Sequence, residues 1–380
     1  MKKNVYIIID GQAGSCGKGK VIGQMALDKK IEVAISNCMP NAGHTFEMNG
    51  KRRVFRHIPV SAVNPNTILF MGAGTAIDMN VLEQEYEENK DILDGREIIV
   101  HPNALLIRED HKEKERAEIR SGSTFKGGGA ALAEKIMRSP NTTFFKEYKN
   151  IKADINYHEK LIHYLKTCRK ILIEGSQGCG LDIDHSNHFP NTAGRQIGVA
   201  KMCSDSGISP LRIKDITLVI RPFPIRISNE TELGKNIYSG NYGNSKELSW
   251  DQVSIGASIG QYPTVIDPSV DGRYKTVDLT ETTTVTKKTR RIFDIDIEQL
   301  KKVVDINTPM GIYLNFFEQL DYSYHKSRGE YGKVYIDKYR REYINWLESE
   351  TDVPVVMLGT GADYKDYISR EKYVKSLRKK

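Results

Sequence analysis

Val5-Tyr-Ile-Ile-Ile-Asp-Gly-Gln-Ala-Gly-Ser-Cys-Gly-Lys-Gly-Lys20 reads as three kinds of local structure in succession. The apolar, β-branched run at residues 5–9 predicts a buried strand, the glycines a tight turn, and the residues from Lys18 onward the start of a helix. A strand feeding a helix through a glycine turn presents backbone N–H groups and a helix N-terminus to an anion, and Lys18 and Lys20 add positive charge. The stretch is not a strict Walker A loop. Five residues rather than four separate Gly11 from Gly17, and Gly19 stands where a Ser or Thr would hold magnesium.

Outward from that loop, short β-rich runs recur at residues 32–35, 67–71, 97–100, 170–173, 216–220, 311–314 and 354–358. Segments with helical spacing lie between many of them, for example 81–91, 157–168 and 337–349. Strands alternating with helices predict an α/β fold around a mostly parallel central sheet flanked by helices. The β-rich runs come from both ends of the chain, which points to a single domain over residues 1–380. Residues 109–120 (EDHKEKERAEIR) read as a charged, solvated helix. The Gly/Pro/Asn/Ser-rich stretches 222–244 and 258–273 read as loops or insertions, and about 370–380 as a basic tail.

The 380-residue chain is 39% hydrophobic and 28% charged, a balance that excludes a disordered or membrane-embedded class. The run at 5–9 is too short for a signal-peptide core and no stretch reaches the length of a membrane span. A net charge of +7 suits anionic ligands. No interleaving of aromatic and basic residues supports nucleic-acid binding. Five cysteines without a CxxC pair suggest neither a zinc knuckle nor a disulfide framework, so the expected setting is a reducing, cytoplasmic one.

Further motifs follow in order: Asn41-Ala-Gly-His-Thr45, Ser123-Thr-Phe-Lys-Gly-Gly-Gly129 with Arg138, Glu174-Gly-Ser-Gln-Gly178 with Leu181-Asp-Ile-Asp-His185, Phe223-Pro-Ile-Arg-Ile227, a Thr/Arg-rich run at 282–291, and Gly359-Thr-Gly-Ala-Asp363. Together with the first loop they closely resemble the adenylosuccinate synthetase family, which joins aspartate to a purine monophosphate. The resemblance implies a P-loop-like, GTPase-related fold with loop and small-subdomain insertions. It implies a reaction in which the purine O6 is phosphorylated and the aspartate amine then displaces the phosphate. It places Gly14, Ser15, Cys16, Gly17, Lys18, Gly19, Gly43, His44, Thr45, Asn315, Phe317, Gly359 and Gly361 at the triphosphate. It places Ser15, Asn41, Ser123, Thr124, Gln177, Thr192 and Arg226 at the monophosphate. It implies that Arg138 is donated to the monophosphate by a neighbouring subunit of a homodimer, and that Thr284, Val285, Thr286, Lys288 and Arg290 form the aspartate site. His44 acts as the acid towards O6, with Lys18 and Gln177 beside it, and Ser15 and Gly43 attend Mg2+. An ordinary histidine titrates near pH 6.5, so modest tuning serves that role.

Two departures bear on the substrate. Where the family carries Asp-Glu in its first loop, this chain has Ser15 and Cys16, and a neutral serine cannot do a carboxylate's base work. A short neutral side chain leaves room for the 2-amino group of guanine. This is the pattern of the family's phage-type branch, the 2-aminoadenylosuccinate synthetases, which act on dGMP in diaminopurine (Z-genome) nucleotide synthesis. The family's guanine-reading Lys-x-Asp aligns with Asn315-Phe-Phe317, which cannot grip guanine, so ATP or dATP is the expected donor. The alternatives are an ordinary synthetase acting on IMP with GTP, and a catalytically silent nucleotide-binding regulator. Cys16, a thiol in a cationic loop at a helix start, invites a depressed pKa. The expected partners are dGMP (or IMP), L-aspartate, the triphosphate and a second subunit, with no membrane or nucleic acid. The expected location is the cytoplasm, that of the host if the protein is viral.

Overall fold

A computed structural model of the chain describes residues 2–119, 123–232, 235–237, 239–259, 277–282 and 289–377. Strand Val5–Asp10 lies in the middle of a twelve-stranded sheet. On one side of it follow, in order, Ile171–Glu174, Val33–Ser36, Ile68–Met71, Ile98–Val100, Ile151–Ala153 and Glu147–Tyr148. On the other side follow Ile213–Ile220, Gly311–Leu314, Val355–Gly359, Tyr367–Ser369 and Gly329–Glu330. Pairing is parallel except at Tyr367–Ser369 against Val355–Gly359 and Glu147–Tyr148 against Ile151–Ala153. The α/β fold read from the sequence is the fold observed.

Central parallel strands are covered on both faces, so they read as unbroken apolar runs. In the first strand Val5, Ile7 and Ile9 join the core on one face while Tyr6 and Ile8 join the core on the other. Alternation of side chains along a strand produces this division. Each fully buried isoleucine there contributes about 1.5–3 kcal/mol.

Three expectations need correction. The 109–120 segment forms helix Glu109–Glu118, but His111 and Glu115 are buried rather than solvated. The 222–244 stretch contains short strands at Ile225–Arg226, Glu230–Glu232 and Lys235–Ile237; of 258–273, only 258 and 259, in helix Trp250–Ile259, are described. The basic tail begins with a core residue: Arg370 is 1% exposed and donates to Glu348 Oε1 at 2.7 Å and to Val355 O at 2.5 Å. Helix Glu371–Leu377 follows it. Among the described residues no helix is long and apolar enough to cross a membrane.

Candidate active site

The first strand ends at Asp10, and its two neighbours run into Gly175 and Arg221, so three chain crossings meet at the C-terminal edge of the parallel sheet. Open α/β sheets gather ligands at this edge. Asp10 is 1% exposed and its carboxylate organises the loop. Oδ1 accepts the N–H of Gln12 at 2.9 Å and of Gly14 at 3.3 Å; Oδ2 accepts the N–H of Cys16 at 3.3 Å and Lys18 Nζ at 3.2 Å. Among the described residues the intervening N–H groups of Ala13, Ser15 and Gly17 meet no protein acceptor. Glycines at φ 88° (Gly14) and 77° (Gly17) and Ser15 at φ 58° give the loop this zigzag, the backbone nest that suits anions. Ser15 is exposed at the apex, and its carbonyl accepts Arg221 Nη1 at 3.2 Å.

Helix Lys18–Asp28 starts after Gly17. Lys18 Nζ also donates to Gln177 O at 2.7 Å, and Gln177 has the positive φ of 65°. A Cβ on Gly19 would lie 2.8 Å from Thr45 N and closer still to Thr45 O, so the missing side chain admits the backbone of hairpin strand His44–Met48. His44 is thereby seated against the loop. Its Nε2 is buried without a partner among the described residues, and its pKa is pushed down to about 3 by burial, with the Lys18 charge adding to the shift. A buried polar atom with no partner marks a place built for something else.

The purine-side segments lie apart in sequence. Asn41 and Thr124 are exposed, Ser123 and Thr192 half-buried. Ser123 Oγ accepts Phe125 N–H at 3.2 Å. The glycines after it lead into helix Gly128–Ile136, at whose N-terminus three N–H groups are occupied. Glu115 accepts Gly127 N–H at 2.7 Å, Gly129 N–H at 2.8 Å and Ala130 N–H at 3.3 Å. A cavity of 260 Å³, lined by His185, His188, Asp296 and Lys302 among others, contains none of the expected site residues. The convergence of motifs, not that cavity, defines the site.

The adenylosuccinate synthetase family model matches residues 7–146 and 141–325. The chain belongs to the adenylosuccinate synthetase family. It is 31% identical over 329 residues to the N6-succino-2-amino-2′-deoxyadenylate synthase of Vibrio phage phiVC8, covering 84% of this chain and 87% of that one. The enzyme of the same name from Acinetobacter phage SH-Ab 15497 is 28% identical over 400 residues, 95% and 96% of the two chains. The solved succinoaminodeoxyadenylate synthetase of cyanophage S-2L, bound to dGMP and to dATP as an energy donor, is similar with a TM-score of 0.77. It shares 26% identity over the full length of both chains. The chain is an adenylosuccinate synthetase-like ligase.

Within the family frame several assignments change. Phe317 is fully buried in the core against Tyr324, so its side chain does not reach a ligand. Asn315 is 3% exposed and its Nδ2 donates to the carbonyls of Cys16 at 3.0 Å and Gly17 at 3.2 Å, so it fastens the loop. Gly359 is bare because Asn315 packs on it, and Gly361 O accepts Lys20 Nζ at 2.7 Å. Lys20 is therefore a pin between the helix and that turn, not a phosphate ligand. Arg226 is turned inward, donating to Asn191 O at 3.2 Å and to Ser239 O. Burial pushes the Cys16 thiol well up, with Asp10 adding to it, so it is no activated nucleophile. His44 is tuned far more than expected and stays neutral. Thr284, Val285, Thr286 and Lys288 lie outside the described residues; Arg290, half-buried, donates its N–H to Glu281 O at 2.9 Å.

Three residues escaped the sequence reading. Asp10 is the first. Arg221, fully buried, donates to Glu281 and to Gln319 Oε1 at 3.2 Å and stacks 4.0 Å from the centre of the Phe316 ring. Glu318 is buried with Oε2 unpartnered, and burial raises its pKa to about 7. Asp10 and Arg221 had a signal: each is a charged residue at the C-terminal end of a central apolar strand.

Proposed function

We propose that this chain joins L-aspartate to C6 of dGMP, with ATP or dATP first phosphorylating O6. The products are N6-succino-2-amino-2′-deoxyadenylate, ADP (or dADP) and phosphate. The observation that carries this reading is Ser15: a small, neutral residue exposed at the apex of the phosphate loop, where the family pattern has a carboxylate. The activity for which the phage relatives are named, and the dGMP and dATP held by the cyanophage enzyme, support it.

In this reading Lys18 and the free N–H groups of Ser15 and Gly17 receive the transferred phosphoryl group, and positioning with charge stabilisation supplies most of the rate. O6 attacks the terminal phosphorus as its bond to the departing ADP (or dADP) breaks and the N1 proton passes to water; the aspartate amine then displaces the phosphorylated oxygen as phosphate and gives up a proton in turn. His44 enters as a neutral imidazole and, in its Nε2–H tautomer, donates a hydrogen bond to the oxygen where charge develops. Gly43 O and the Ser15 hydroxyl are neutral oxygen donors, and Asp10 is already spent on Lys18 and three amides. That donor set fits Mg2+ carried mainly by triphosphate oxygens, where it would neutralise their charge. Arg290, with 284–288, would hold the aspartate. Arg138, exposed and flanked by Ile136 and Met137 at 69% and 77% exposure, suits a residue handed to a second subunit in a homodimer. The cytoplasm is the proposed location.

The test is turnover of purified protein with aspartate and either dGMP or IMP, each with ATP or GTP. Product from dGMP with ATP is expected; turnover confined to IMP with GTP overturns the reading. Ser15→Asp should lower kcat/KM for dGMP roughly tenfold or more by crowding the 2-amino group. Unchanged use of dGMP would remove the steric argument.

A further inference from the structure

The carboxylate of Asp10 touches four donors of one loop at regular intervals: the N–H groups of Gln12, Gly14 and Cys16, and the ammonium of Lys18. Every second residue is thereby turned inward. The amides between them are left for a ligand. The pair Asp10–Lys18 is buried on both sides, with side-chain exposures of 0% and 4%. A charge at that depth is tolerated only when paired, and Lys18 has one carboxylate and one carbonyl, that of Gln177, to hold it. Since the loop carries the neutral residues Ser15 and Cys16, the negative charge within it comes from Asp10.

We propose that Asp10 is the positioning residue of this phosphate loop: it sorts the loop amides into an inward and an outward set and fixes Lys18 between the triphosphate side and Gln177. The proposal deepens the ligase reading and rests on it. Asp10 touches no substrate; it acts through Lys18 and through the amides it withdraws.

A structural role and a positioning role predict different things when the charge is removed. Asp10→Asn keeps the shape and one oxygen acceptor but presents an amide nitrogen towards either Lys18 or a backbone N–H. The donors on the side of that nitrogen then lose their acceptor and the Lys18 charge is unbalanced. Both changes favour an anion, so a triphosphate should bind as well as before or more tightly while its terminal phosphorus is misplaced. A loop that is merely loosened would bind the triphosphate worse.

The experiment measures ATP affinity by calorimetry, kcat, and the KM for dGMP in full-length wild type and Asp10→Asn, with folding checked by thermal unfolding. The wild type, assayed first with each nucleotide pair, settles the substrate reading separately, and the variant is compared with whichever pair turns over. The expected result is a kcat lowered roughly 10- to 100-fold, the size of a lost charge-assisted hydrogen bond, with ATP Kd unchanged or lower. Asp10→Ser, smaller and uncharged, should give the same split and carries the test if the asparagine variant does not fold. An unchanged kcat overturns the proposal. So does an ATP Kd that weakens in step with kcat, or failure of both variants to fold, since the carboxylate would then serve the core alone. A wild type silent with every pair overturns it together with the ligase reading.

Discussion

Two glycine-rich loops flank the site, and each is tied to a buried carboxylate, yet they are left in opposite states. In the first, Asp10 takes the N–H groups of Gln12, Gly14 and Cys16 and leaves those of Ala13, Ser15 and Gly17 without acceptors among the described residues. In the second, Glu115 takes the N–H groups of Gly127, Gly129 and Ala130, the positive end of helix Gly128–Ile136. A carboxylate at a helix N-terminus satisfies both its dipole and its orphan donors. The first loop therefore remains an anion receptor with a lysine at its base. The second is already neutralised; in the proposed reading the side chains of Ser123 and Thr124 meet the monophosphate. Glycine content alone does not distinguish the two; the position of the acid does.

The largest effect should come from the first loop's neighbour. His44→Ala is expected to lower kcat roughly 10²- to 10⁴-fold while nucleotide affinity stays close to wild type, read by steady-state kinetics and calorimetry. Near-normal turnover would show that the partnerless Nε2 has no chemical task. In the second loop, Glu115→Gln should cost about 1–3 kcal/mol of stability in denaturant titration by weakening the bonds to three buried donors. Its kcat, measured on folded protein, should stay near wild type. A fall in kcat matching that of Asp10→Asn would erase the contrast between the loops.

The smallest effect is one of pH. The His44 pKa of about 3 in the fold lies below its ordinary value near 6.5, so between those values the unfolded chain binds a proton that the folded one refuses. Stability from this group is intact above pH 6.5 and falls as pH drops, by up to about 1.4 kcal/mol per pH unit. Glu174, buried and raised to about 7, has the opposite slope between its ordinary value and 7. The wild type minus His44→Ala difference isolates the histidine. That difference should shift against the wild type between pH 6 and pH 5; a constant difference would show that His44 is not held neutral.

The eight apolar runs read from the sequence all lie in the central sheet, because burial on both faces writes itself as continuous hydrophobicity. The two-residue edge strands Gly329–Glu330 and Glu147–Tyr148 leave no such trace. The site was legible as motifs but not as roles. Asn315 and Phe317 look alike in register, and only the contact of Asn315 with Cys16, 299 residues away in sequence, shows which fastens the loop and which fills the core. The partners of Arg226 were hidden for the same reason: Asn191 O and Ser239 O are brought to it by the fold. Glu115 was hidden in a run of charges whose helix presents most of them to solvent, and nothing local marks the one that turns inward.

Gly19 has a consequence for how such a site can change over generations. Its bare Cα is in contact with the backbone of Thr45, so the hydroxyl that other phosphate loops place at this point has no space here. Any replacement would first have to lift the hairpin, and with it His44, off the helix. A lineage that carries this contact is cut off from that route to a metal ligand by a double change whose intermediate has lost its histidine. Its variation is channelled instead into the apex, where the Ser15 side chain is exposed to solvent.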